Sequence, residues 1–154
     1  MELRKTINRI LALFLAFIMG LMTLNVLWQV FSRYVMDSPS SVTDELARYL
    51  MIWVGVLGAA YVAGQNKHVA IDIIPSRLSG KNQRVVKSIV NSLVILFALL
   101  AFIIGGIRLV YISFILGQQS PALQLPLAYV YMVIPMSGLL IIYYKISDFF
   151  IKKV

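Results

Sequence analysis

Apolar residues fall in four long runs along this chain, and polar residues collect between them. The first run, Ile10 to Phe31, is long enough for a hydrocarbon core of ~30 Å, which takes ~20 helical residues. With its flanks it predicts a helix over about 6–35. Later runs predict helices over about 42–64, 82–116 and 127–151, the third with its most apolar part at Val94–Ile107. That third segment exceeds one crossing, so it should tilt or protrude. Pro135 should kink the fourth, because proline lacks an N–H and its ring crowds the carbonyl one turn earlier. The pattern describes an all-α integral membrane protein: one membrane domain over 1–154, with four transmembrane helices and no room for a soluble domain beside them.

The first run also invites comparison with a signal peptide, since Arg4, Lys5 and Arg9 precede it. It is too long for a signal core and lacks a small-x-small cleavage site, so it reads as a retained membrane helix.

Polar residues inside or beside the runs carry the remaining information. Asn25, Gln29 and Arg33 follow at i, i+4 and i+8 and form one stripe on the first helix. The stripe suits hydrogen bonding within the bundle or contact with a second protein. Asp37-Ser38-Pro39-Ser40-Ser41 is a turn, after which Ser41 or Thr43 can cap the second helix. Asp44 and Glu45 then lie in its first turn, where carboxylates favour the helix dipole. Arg48 is spaced to pair with either. Gly55, Gly58 and Ala59 make a small-residue face that another helix could approach, from this chain or another subunit.

Between helices two and three, Ile71, Ile74 and Leu78 suggest a short interfacial segment, interrupted by Pro75. His68 and Asp72, four apart within it, can pair or stay solvated. Arg108 sits about two turns inside the third helix. It can snorkel outward or pair with Asp37, Asp44 or Glu45. On the pairing reading, loss of Glu45 strands Arg33, Arg48 or Arg108.

Composition agrees. The chain is 60% apolar and 13% charged, with mean hydropathy +0.88, whereas soluble domains are about half apolar and a quarter charged. The net charge of +8 could suggest nucleic acid. In a chain this apolar it marks instead the cytoplasmic face and its anionic membrane lipids. Eleven of fourteen Lys and Arg fall at the two termini and the 65–87 connection, and only Arg33, Arg48 and Arg108 fall on the other side. The positive-inside rule then places both termini in the cytoplasm. With no cysteine and a single histidine, His68, no metal centre is expected, and no cofactor either. No phosphate loop, nucleophile elbow or dinucleotide fingerprint appears, so no catalytic residue is assigned.

Four segments taken together carry a resemblance: WQVFSRYV at the end of the first helix, S-x-T-D-E-L-A-R-Y, W-V-G-V-L-G-A-A-Y and K-H-V-A-I-D. In this order, over about Trp28–Asp72, they resemble the small membrane subunit, the DctQ-like or Q subunit, of TRAP (tripartite ATP-independent periplasmic) transporters. Length and the four spans extend the likeness over the whole chain. The resemblance implies a non-catalytic subunit of the bacterial inner membrane. It would scaffold a large multi-span subunit that moves an organic acid, of C4-dicarboxylate or sialic acid type, with sodium. A periplasmic substrate-binding protein would deliver the solute. Because the chain ends at Val154, the large subunit is expected as a separate polypeptide. The resemblance also places Arg33, Glu45 and Arg48 near the outer interface with those partners. Asn25, Gln29, Asp44, Gly55, Gly58 and Arg108 complete the expected contact set. Two alternatives remain at this point. One is a self-sufficient homo-oligomeric transporter or channel, for which the Asn25–Gln29–Arg33 stripe is the one candidate polar path. The other is a membrane enzyme with carboxylates at its outer surface.

Overall fold

The computed structural model describes residues 2–38, 40–65 and 81–151. Helix α1 covers Glu2–Tyr34 and α2 covers Ser41–Gly64. The third span begins as α3 (Lys81–Phe97), passes through a π-helical stretch (Ala98–Gly105) and continues as α4 (Gly106–Ile115). The fourth consists of α5 (Leu127–Tyr131) and α6 (Val133–Ile151). Among the described residues, four helical spans are long and apolar enough to cross a membrane: Glu2–Tyr34, Ser41–Gly64, Ser88–Ile115 and Leu127–Asp148. Side chains such as Phe17, Leu24 and Phe114 stand outward on these spans, an apolar surface far larger than a soluble monomer exposes.

Two expected helices are not uniform. The third widens to π geometry through its most apolar part, and eight residues of it is unusual, since π turns mostly occur singly. The fourth breaks at Met132, about one turn before Pro135. Pro135 has no N–H to offer the Tyr131 carbonyl, so the ladder is interrupted there. The expected interfacial segment, with His68 and Asp72, lies outside the described residues.

The fourth span is the hub. It has 39% of its most apolar window buried, against 11% for the third, the least covered. Helix α1 packs on α2, α2 on α6, and α6 on the π stretch. Leu11, Leu15, Leu57 and Val133 form one buried cluster, and Ala60, Ala63, Ala98 and Ile141 form another. Alanine dominates the second cluster because small side chains let backbones approach closely.

The loop after α4 is ordered by its own backbone. Gly117 adopts φ +58, a left-handed conformation that glycine takes without Cβ strain. Its N–H donates to the Phe114 carbonyl at 3.1 Å, and that of Gln118 donates to the Ser113 carbonyl at 3.1 Å. This is a Schellman closure of the helix end. Beyond it, Ser120 N–H reaches the Leu125 carbonyl and Leu127 N–H the Gln118 carbonyl, both at 2.9 Å.

Candidate functional site

Asn25, Gln29, Asp44, Glu45 and Arg48 gather at the end of the bundle that holds the turn before α2 and the 116–126 loop. Ser40 caps α2, accepting the Thr43 N–H on its hydroxyl at 3.4 Å while the Thr43 hydroxyl donates to the Ser40 carbonyl at 2.9 Å. The cap is therefore one residue earlier than Ser41, and Thr43 supports it rather than forming it. Asp37 sits at φ 48 in the preceding turn, a conformation aspartate tolerates better than most residues. The Ser32 hydroxyl, buried, donates to the Ser38 carbonyl and folds that turn back on α1.

The stripe on α1 then meets the start of α2. Asn25, buried, donates from Nδ2 to the Thr43 carbonyl at 2.7 Å. Gln29 donates from Nε2 to Asp44 Oδ1 at 2.8 Å. Arg48 donates from Nη2 to Asp44 Oδ2 at 2.8 Å. Asp44 is thus held by both helices, and two of the three stripe positions serve contact inside the chain. Arg33, the third, is exposed and has no ion pair among the described residues.

Glu45 does something its spacing did not suggest. Its Oε2 accepts the backbone N–H groups of Ala122 and Leu123, each at 2.9 Å. Its Oε1 accepts the Tyr49 hydroxyl at 3.0 Å. Two successive amides converging on one oxygen form a small anion-binding nest, and the carboxylate filling it belongs to another element. Glu45 therefore ties α2 to the 116–126 loop. The Trp53 indole adds a second tie, donating from Nε1 to the Val130 carbonyl at 3.1 Å. The expected ion pairing of Glu45 with Arg33, Arg48 or Arg108 is not what forms, because two amides and a phenol occupy the carboxylate. Arg108 is exposed, and among the described residues no carboxylate lies within ion-pairing distance of it.

This geometry carries a prediction. Replacing Glu45 with alanine should leave the Ala122 and Leu123 amides without an acceptor and release the loop. Amide hydrogen exchange at those two residues should rise by at least about tenfold, with exchange in α6 unchanged. Unchanged exchange at Ala122 and Leu123 would show that the clamp does not hold the loop.

The expected face of Gly55, Gly58 and Ala59 is not the one that packs: Ala59 is exposed, whereas Ala60, Ala63 and Gly64 are buried inside the bundle. Gly55 and Gly58 face open space, with nothing within 4 Å of where a Cβ would stand. Among the described residues, then, no helix covers the Gly55–Gly58 face.

The opposite end holds a cluster that no local pattern announced. Arg4 donates from Nη1 to Asp148 Oδ1 at 2.7 Å and from Nη2 to the Gly64 carbonyl at 2.6 Å. Its guanidinium lies 5.6 Å from the centre of the Tyr144 ring, a cation–π distance. Asp148 and Lys145 are buried. One side chain thereby joins the start of α1, the end of α2 and the end of α6. Its partner is 144 residues away, so spacing could not have revealed it.

The bundle is braced at both ends. Residues 22–152 match the family model of the tripartite ATP-independent periplasmic transporters, DctQ component. The chain is 30% identical over 135 residues to a Haemophilus influenzae protein named as a TRAP transporter small permease protein, covering 88% of this chain and 82% of that one. It is 29% identical over 123 residues to the isethionate TRAP transporter permease protein DctMQ of Oleidesulfovibrio alaskensis, covering 78% of this chain and 19% of that much longer protein. It is 30% identical over 79 residues to the sialic acid TRAP transporter small permease protein SiaQ of Vibrio cholerae, covering 51% of this chain and 46% of that one. These likenesses and the four apolar spans describe a multi-pass protein of the bacterial inner membrane. The chain belongs to the DctQ family, the small membrane component of TRAP transporters.

Proposed function

We propose that this chain is a non-catalytic scaffold for a large multi-span transport subunit, in a sodium-driven system importing an organic acid that a periplasmic binding protein delivers. The observation that carries the reading is where its polar groups go. Asn25 and Gln29, the one candidate lining for a path of its own, are hydrogen-bonded to the first turn of α2. The self-sufficient channel needs that stripe open to water, and it is closed against a neighbour. A body clamped by Glu45 at one end and by Arg4–Asp148 at the other suits a part that stays fixed while another moves. The permease proteins similar to it are named for isethionate and for sialic acid. Both solutes are small organic acids, which supports that substrate class here.

On this reading both termini are cytoplasmic, following the eleven basic residues on that side, and the Glu45 end faces the periplasm. Arg33 and Arg48 are exposed there, within reach of a binding protein. The open Gly55–Gly58 face is positioned for a helix of the large subunit. Asn25, Gln29, Asp44 and Glu45 act one step back, holding that surface in shape.

Reconstitution tests the proposal. Liposomes with an inward sodium gradient should accumulate solute only when this chain, the large subunit and the binding protein are all present. Accumulation by liposomes holding this chain alone would sink the scaffold reading.

A further inference from the structure

The third span presents a surface that no other described residue covers. It is the least buried of the four, and Ile104, Tyr111, Ile112 and Ile115 all stand outward on it. Arg108 projects from the centre of that surface, at i+4 from Ile104 and i−4 from Ile112, so these residues share one helix face. Beside it, between the third and fourth spans, runs an apolar groove of about 500 Å³ whose walls include Ile107, Phe114, Met132 and Met136. Tyr111 belongs to both, so the groove and the Arg108 face are continuous.

We propose that this face docks a transmembrane helix of a second membrane protein, and that the helix carries a carboxylate at the depth of Arg108. The proposal rests on the reading that the chain scaffolds a larger membrane subunit. Charge complementarity selects the occupant. Arg108 lies seven residues before the end of α4 at Ile115, about 10 Å at ~1.5 Å per residue. An arginine at that depth is costly in hydrocarbon unless it is paired. Arginines near helix ends usually escape by snorkelling to the nearer interface. Here the helix direction opposes that escape. Side chains lean towards the helix N-terminus, and Arg108 is in the C-terminal part of its span. Its stem therefore leans away from the nearer end and into the membrane. A lipid phosphate at the near surface is poorly placed to meet it, whereas a carboxylate on a neighbouring helix can do so at depth. Among the described residues no carboxylate, Asp37 included, lies within ion-pairing distance of Arg108. Asp44 is engaged by Gln29 and Arg48, Glu45 by the loop amides and Asp148 by Arg4.

The test uses the full complex. This chain is co-expressed with the large subunit and captured by a tag on the latter, as wild type, Arg108→Gln and Arg108→Glu. A parallel set carries Ile112→Cys for cross-linking. The expected result is a loss of co-purified chain of at least about tenfold for Arg108→Glu and a smaller loss for Arg108→Gln, with the melting temperature of the isolated chain unchanged. Ile112→Cys should cross-link to the large subunit, and changing one acidic residue of that subunit to lysine should rescue Arg108→Glu. Undiminished capture of Arg108→Glu, with no cross-link from Ile112→Cys, would overturn the proposal while leaving the scaffold reading intact. So would native mass spectrometry showing an anionic lipid that is lost in Arg108→Glu while the protein complex persists. Failure of the wild-type chain to co-purify at all would overturn both.

Discussion

Replacing Asp148 with leucine is expected to destabilise the isolated subunit by about 3–5 kcal/mol, the usual cost of breaking a buried ion pair from one side. The Asp148 side chain is 3% exposed and that of Arg4 is 16% exposed, so solvent cannot readily replace the lost partner. Arg4 would retain the Gly64 carbonyl and the Tyr144 ring, but neither neutralises a guanidinium. Two controls separate charge from packing. Asp148→Asn keeps the shape and should lose nearly as much stability, because the missing charge is the cause. The double variant Arg4→Met with Asp148→Leu should recover most of the loss, since well-packed apolar replacements of buried pairs are often neutral. Thermal unfolding in detergent measures all three. A double variant no more stable than Asp148→Leu alone would show that Arg4 acts through Gly64 rather than through Asp148.

The same residues show how far the sequence could be read. The four spans follow from run length and apolarity, which depend on local composition and the ~30 Å hydrocarbon core. The Asp44–Arg48 pair was legible because both residues lie on one helix four apart. Arg4–Asp148 was not, because its partners meet only after four spans are packed. Glu45 failed for a different reason. Arg48, three residues on, offered an obvious partner, while the true partners are backbone amides of Ala122 and Leu123. Every residue but proline carries such a donor, so no residue type marks the site. What could have pointed to it is the 116–126 loop itself. A stretch with Gly117, Pro121 and Pro126 and no charge has few ways to satisfy its own amides, and the acids expected on that side were Asp37, Asp44 and Glu45. Asn25 and Gln29 were legible as a stripe, with a contact inside the bundle and one to a second protein both open, because period alone gives a face and not what lies against it.

Glycine gives the clearest case, and the second large effect. Gly55 and Gly58 read as a packing face, yet among the described residues they face open space. The glycines that pack are elsewhere. A Cβ at Gly138 would stand 2.7 Å from Phe102 Cβ and 3.1 Å from Ile103 Cγ1, both in the π-helical stretch. A Cβ at Gly106 would stand 2.9 Å from Ile134 Cγ2 and 3.0 Å from Pro135 Cδ. The third and fourth spans therefore meet through one glycine from each side, and the contacted atoms sit on or next to the backbone, where little can yield. Gly138→Ala and Gly106→Ala are expected to destabilise the subunit by ~1–3 kcal/mol each, the range for overpacking. Together they should exceed either alone, because both wedge apart the same pair of spans. Gly55→Ala and Gly58→Ala should do the opposite in isolation, adding about 0.5–1 kcal/mol of helix stability where a methyl group meets nothing. Inside an assembled transporter that gain should reverse if a partner helix lies against them. A single set of four variants, melted alone and then in complex with the large subunit, therefore sorts the glycines that build this bundle from those it offers outward. Gly55→Ala and Gly58→Ala stabilising both states alike would move the docking face away from α2.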